Sequence, residues 1–428
     1  SLHLEHLLRV VPGEESTPFS YGHYNAWPLV PDTTSPIGGA IDWARGAALG
    51  DSMTPGELYA ALKARGARMV QVNHPRGSGL SEFQASFSRA NLKFDYDQHL
   101  IYGDYADADV PNDWLRLPEE SLWSDQFNGL EIWNGFFTGD SNGDGLRENR
   151  ALDGIMHDWL SMLSLGLYVT PAGDSDTHTI TTNPLGMPRT YVRVADDGAD
   201  ALASGTAVDA VVQTQTGANQ TPRDVIVTDG PMLDVTHGGV PALGSVIDST
   251  AGPVTIDVKI YSADWAAIDT FEVFANTTPD GVATRDDTTL VPLECWTSRD
   301  VSTLNAKDPC MRAQIAPQPL TVTLVTLPSG AKRFEATVQV TLDAEDINTR
   351  SGAVGKDAWL VFRTRGDVGI FPILTNNSVT DATMPALLGG DFTAIRAALA
   401  GKGVQAEAVT APVFIDFDGG GYRAPFAP

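Results

Sequence analysis

From residue 1 to about 195 the chain alternates between two hydrophobic periods. Thr54-Pro-Gly-Glu57 is a capping box with Pro at the first helical position, so a helix is predicted through Leu58, Leu62 and Arg65, ending at Gly66. Ala67–Val72 then reads as a strand, and Gly129–Trp133 as another. Between Asn149 and Leu165 the apolar residues Leu152, Ile155, Met156, Trp159, Leu160 and Leu163 recur at helical spacing, and Gly166 ends the run. Leu7–Val11 and Leu167–Thr170 read as further strands, with Tyr191–Val194 as the last of this set. Alternation of helix and strand predicts a parallel sheet, open or closed into a barrel, with its chemistry at the C-terminal strand ends.

Past residue 200 the pattern changes. One helix is expected at Ala207–Gln215. Strands follow at Asp224–Thr228, Val254–Tyr261, Ile268–Ala275, Leu320–Leu327, Phe334–Leu342, Trp359–Thr364 and Val413–Phe417, several with clean apolar–polar alternation. This predicts an antiparallel, sandwich-like second domain. The expected fold is therefore α/β plus all-β, with domains at 1–195 and 196–428.

Net charge is −26, from 28 basic and 54 acidic residues, which excludes broad electrostatic binding to nucleic acid or anionic lipid. No apolar run is long enough to span a membrane. Only seven of the basic residues are Lys. The two cysteines, Cys295 and Cys310, are either free thiols or a disulfide whose short loop would add roughly 3 kcal/mol. The acidic surface and a disulfide suit a secreted, periplasmic or cell-surface protein.

Ligand-type residues collect where the predicted strands end. Glu15 follows the first strand, with His23 and Asn25 in Tyr21-Gly-His-Tyr-Asn25 beyond it. His74 and Arg76 follow the second, Asn134 the third, and Asp174, Asp176 and His178 the fourth. Imidazoles and carboxylates gathered this way suit Zn, Mn or Fe, and a metal can activate water for hydrolysis. Glu15, His23, His74, Asp176 and His178 are the candidate ligands, Asp176 and His178 also being candidate catalytic groups. Asp174, Asn134 and Asn25 would orient them or shape the pocket floor. Arg76 would either bind a substrate anion or pair with a neighbouring carboxylate. Asp140, Asn142 and Asp144 resemble the first half of a calcium loop, and Asp416-Phe-Asp418-Gly-Gly-Gly421 is a weaker case.

The ordered set GEES, YGHYNAWPL, QVNHPRG, LEIWNG and GDSDTH resembles the polymerase and histidinol phosphatase (PHP) superfamily, most closely its carbaryl-hydrolase-like branch. PRTYVRV, VTDGPML and APVFIDFDGGGYRAP extend the resemblance to nearly the whole chain. It implies a distorted βα barrel, one to three divalent metals, and hydrolysis of a phosphoester or of a carbamate, ester or amide bond in a small molecule. It further implies that Glu15 bridges two metals, that His23 and His74 complete the second, and that Asp176 binds the first and His178 the third. The superfamily's opening His-x-His is absent, and His3 and His6 are expected at the surface. An N-terminal fragment or companion chain is therefore expected to complete the barrel. The alternatives are a non-catalytic binding or structural protein on a degenerate barrel, and a calcium-dependent adhesion module.

Overall fold

The computed structural model describes residues 4, 6–18, 21–44, 52–76, 85–103, 122–135, 138–139, 148–178, 185–278, 290–351, 357–370, 384–390, 394 and 404–427. The architecture is mixed α/β and rich in strand, and no barrel closes among these residues. The first sheet has five strands in sequential order: β1 (Glu14–Ser16), β2 (His23–Trp27), β3 (Met69–Asn73), β4 (Gly129–Asn134) and β5 (Thr170–Asp174). Helix α1 (Pro55–Ala64) precedes β3, and α2 (Arg150–Ser164) precedes β5. At the start of α1 the Glu57 carboxylate accepts from both the backbone N–H and the hydroxyl of Thr54, as the capping box requires.

Three expectations change. Leu7–Val11 forms no strand: Leu7, Leu8 and Val10 are exposed, and pairing starts at Glu14, where the segment meets β2. Glu15 thus lies within a strand rather than beyond one. The His23 segment is itself a strand, because Tyr24 and Ala26 alternate inward against His23, Asn25 and Trp27. Since β2 runs antiparallel to both neighbours, only β3, β4 and β5 are mutually parallel. Third, β6 (Arg189–Val192) leaves this sheet and pairs antiparallel with Val225–Thr228 in the next.

That next sheet has nine strands, with Gln405–Thr410, Ala358–Gly369 and Thr270–Ala275 along its middle. A further five-stranded sheet is built on Val254–Ala263 and Lys332–Leu342, paired over ten residues. Side chains from both, including Ile256, Val258, Phe271 and Phe362, share one apolar core. Cys295 and Cys310 form a disulfide with 5.2 Å between their Cα atoms. No helix among the described residues is long and apolar enough to cross a membrane.

The other face of the nine-stranded sheet meets α2. One buried cluster joins Leu152, Trp159 and Leu163 of α2 to Val70, Val72, Leu130 and Ile132 of the first sheet, and to Val227, Phe274, Trp359 and Val361 beyond residue 195. Each such side chain contributes about 1.5–3 kcal/mol on burial. Because sheets cover α2 on both sides, its polar residues are buried as well, Asp153, His157 and Asp158 among them. Asp153 accepts from Arg363 at 2.8 Å, within an ion network that includes Glu272 and Arg365. Asp158 is held by Arg76.

Candidate metal centre

The pleat sorts the first sheet's side chains by chemistry. Tyr24, Ala26, Val70, Val72, Leu130 and Ile132 face the helices. Register places Glu15 opposite Asn25, Asn25 opposite Gln71, and His23 opposite Asn73, all on the other face. Glu131 of β4 shares that face, lying two residues beyond Gly129, the partner of Gln71. An irregularity after Glu131 brings Asn134 into register with Asp174. Gln71, Asn73 and Glu131 are nonetheless buried, so this face is a packed polar layer.

Glu15, His23 and His74 converge within it, their ligand atoms all within 4.8 Å of one another. His23 Nδ1 is 3.7 Å from Glu15 Oε1, and the two imidazoles meet edge to face at 4.8 Å. Gly22 (φ 99°) turns the chain into β2, where a Cβ would lie 2.6 Å from Ser86. His74 follows β3 with φ 25°, and Asp176 lies just past β5 with φ 44°. Such left-handed conformations in residues other than glycine cost about 1–3 kcal/mol and persist only where the surroundings enforce them. Here the carbonyl of Pro75 accepts from Phe87 N–H at 2.9 Å, and the Glu131 carboxylate accepts the His74 N–H.

Two hydrogen-bonded relays set the ligands. Gln71 donates to Asp174 at 2.5 Å and to Asn73 at 3.0 Å, and Asn73 donates to Glu15 at 3.1 Å. Asn134 donates to Glu131 at 3.0 Å and to Asp176 at 3.3 Å. Burial, reinforced by the neighbouring Asp174 charge, pushes the Glu131 carboxyl well above the usual carboxylate range. Asp174 is raised too, chiefly by burial, and bonds to Glu131, so the two titrate as a pair. Burial, then the His74 charge, lowers His23 to about 4 against the opposing pull of Asp176. Its imidazole is consequently neutral, the form a metal requires.

Two imidazoles and a carboxylate, each with an orienting partner, fit a divalent Zn, Mn or Fe ion. Asp176 approaches through Asn134, with a side chain 36% exposed. His178 does not join the cluster: its side chain is 80% exposed, and among the described residues Nδ1 contacts Asp176, 3.0 Å from the carbonyl and 3.3 Å from the carboxylate. Arg76 takes the ion-pair alternative. Its Nε and Nη2 hold both oxygens of Asp158 at 2.7 and 2.9 Å, and further bonds reach the carbonyls of Phe87 and Leu92. That fork is turned into the protein, which removes Arg76 from the catalytic set. Asn25 lies between Glu15 and Gln71 in the register, and Asp174 and Asn134 both belong to the relays.

Gln71, Asn73 and Glu131 were not among the residues picked from sequence. A carboxylate inside the otherwise apolar strand Leu130–Trp133 was the available signal for Glu131. The calcium-type loop Asp140, Asn142 and Asp144 lies outside the described residues, as does His3, whereas His6 sits in an exposed turn. A second acidic group, which could likewise hold a cation, brings Asp416 and Asp418 within 4.8 Å of Asp357, which directly precedes the strand Ala358–Gly369. Comparison with protein-family models, with curated proteins and with solved structures returns no match.

Proposed function

We propose that the chain is a metal-dependent hydrolase of PHP type, acting on a phosphoester or on a carbamate, ester or amide bond. The convergence of Glu15, His23 and His74, with Asp176 close by, carries this reading. Those residues would hold the ion, which when bound supplies Lewis-acid polarisation and a water of lowered pKa. The chain's own residues supply the frame. Asn73 fixes the rotamer of Glu15, Glu131 fixes the backbone of His74, and burial keeps His23 unprotonated. Asp176, exposed at the mouth and anchored by Asn134, is placed to orient a water or a substrate proton. The finer reading is a barrel portion joined to a sandwich-like domain, in a protein exported to an oxidising compartment. The disulfide and the acidic surface support export.

β1 lies at the edge of its sheet beside the exposed Leu7, Leu8 and Val10. Such an edge invites further strands, and a companion polypeptide completing the barrel would supply them along with more ligands. Elemental mass spectrometry of natively purified protein tests the reading. At least one equivalent of Zn, Mn or Fe is expected, lost in His74→Ala together with hydrolysis of aryl phosphate and carbamate esters. A metal-free native protein, or unchanged turnover in His74→Ala, returns the chain to the non-catalytic alternative.

A further inference from the structure

A cavity of about 940 Å³ opens at the opposite end of the first sheet, beside Tyr168, which precedes β5. Three rings line it in series, Tyr168 to Phe414 at 5.0 Å and Phe414 to Tyr422 at 4.6 Å between centroids. Its ends carry opposite charges. At one, the Arg223 guanidinium lies 4.3 Å over the Tyr168 ring. Arg223 donates to the carbonyls of Tyr168 at 2.7 Å and Thr216 at 3.2 Å, with no carboxylate paired to it among the described residues. At the other, Asp357 and Asp418 line the wall, with Asp416 behind them.

These carboxylates accept only backbone N–H groups among the described residues. Asp357 takes those of Phe417 and Arg423, Asp416 those of Asp418, Gly419 and Gly421, and Asp418 that of Gly420. Arg423 lines the cavity too, but its side chain is exposed and forms no ion pair with them. Between the ends, the floor is formed by the three rings, while the Tyr168 and Tyr422 hydroxyls are sealed from solvent and so lie behind the wall. A half-buried guanidinium with no carboxylate beside it and a carboxylate cluster with no cation beside it are each left with an uncompensated charge among the described residues. A cavity with such opposite charges at its ends and an apolar floor between them is complementary to a molecule charged at both ends.

We propose that this cavity binds an elongated zwitterion of the ω-amino-carboxylate class. Its carboxylate pairs with Arg223, its ammonium with Asp357 and Asp418, and its methylene chain lies along the three rings. The site is separate from the metal centre and does not depend on it.

Full-length protein titrated with 6-aminohexanoate, hexanoate and hexylammonium tests this, by saturation-transfer NMR and calorimetry. The zwitterion is expected to bind at least about tenfold more tightly than either one-ended analogue, the worth of one charge-assisted contact. Asp418→Asn, at an exposed residue whose bond to Gly420 an amide can keep, is expected to weaken 6-aminohexanoate about tenfold with Tm unchanged. Arg223→Gln should do the same, and Asp418→Asn remains the deciding variant if Arg223→Gln fails to fold. Absence of binding, equal binding of hexanoate or hexylammonium, or full retention in Asp418→Asn would each overturn the proposal. So would calcium occupying the acidic end with 6-aminohexanoate excluded, since the loop would then be a cation site alone.

Discussion

Replacing Arg76 with Met separates the two roles an arginine beside His74 can have. The Asp158 side chain is fully buried, and its two oxygens lie 2.7 and 2.9 Å from the guanidinium. Removing one partner of a buried pair typically costs about 3–5 kcal/mol, because a carboxylate stays in a low-dielectric site without its counter-charge. If all 428 residues unfold together, the entropy of unfolding makes each kcal/mol worth about 1 °C, so Tm should fall by roughly 3–5 °C. A smaller unit melting by itself would fall further. The double variant Arg76→Met/Asp158→Asn removes both charges of the pair and should recover much of the loss. His74 is two residues away, on a loop that Arg76 ties to α2. Metal affinity should therefore weaken in the single variant, in step with stability. Calorimetric Tm and chelator competition on both variants provide the assay. An Arg76→Met protein with unchanged Tm and metal affinity but a raised KM for an anionic substrate would refute the reasoning, and would return Arg76 to substrate binding.

Other outcomes follow from the same geometry. In metal-free protein His23 titrates at about 4 instead of 6.5, so below pH 6.5 the unfolded chain binds a proton that the folded one refuses. Its contribution is full above pH 6.5, and roughly 2–3 kcal/mol should be lost as pH falls to 4, read as urea midpoints against pH and flattened in His23→Gln. Glu131→Gln leaves one acceptor oxygen where the His74 N–H and the Asn134 amide both donate, so one of the two bonds is lost and metal should bind about 10–100-fold more weakly, measured by competition with a chromophoric chelator. Replacing Cys295 and Cys310 together with Ser should lower stability by roughly 3 kcal/mol in denaturant titration, and no change would mean that the bond closes a loop already held by other contacts.

What could be read in advance depended on how local the determining interaction is. The helices announced themselves, because the Thr54–Glu57 box and the Leu152–Leu163 period act within a few turns. Glu15, His23 and His74 were found by residue type at presumed strand ends, although Glu15 and His23 lie within strands. The strand around His23 was missed because its partners, near Glu15 and Asn73, lie on either side in sequence, and only the assembled sheet shows why Tyr24 and Ala26 point inward. Glu131 was passed over for a related reason. Within Gly129–Trp133 it reads as one interruption of an apolar strand, and its acceptor role for His74 spans 57 residues. Asp357 stands about sixty positions before the Asp416 loop, a distance that no loop motif can bridge.

The first sheet is organised against the usual economy of a β layer. One face meets helices with Val, Leu and Ile, while the other buries Gln71, Asn73 and Glu131, with the half-buried Asp174 next to them. An apolar layer there would be more stable, since burial opposes the charged form of each carboxyl and every amide must be matched. The polar face gains orientation in return. Each of its members bonds to a residue that ends in Glu15, His74 or Asp176, so the candidate ligands are fixed by β-sheet geometry and not by loops. Local disagreement with the packing optimum, concentrated in one network that terminates on the candidate metal ligands, is the pattern expected of a functional face. Gln71→Leu takes the donor away from Asp174 and Asn73, so it should lower stability by about 1–3 kcal/mol and loosen Glu15 through Asn73. A variant that lost stability with its metal affinity unchanged would show that the network holds the sheet together and not the ligands.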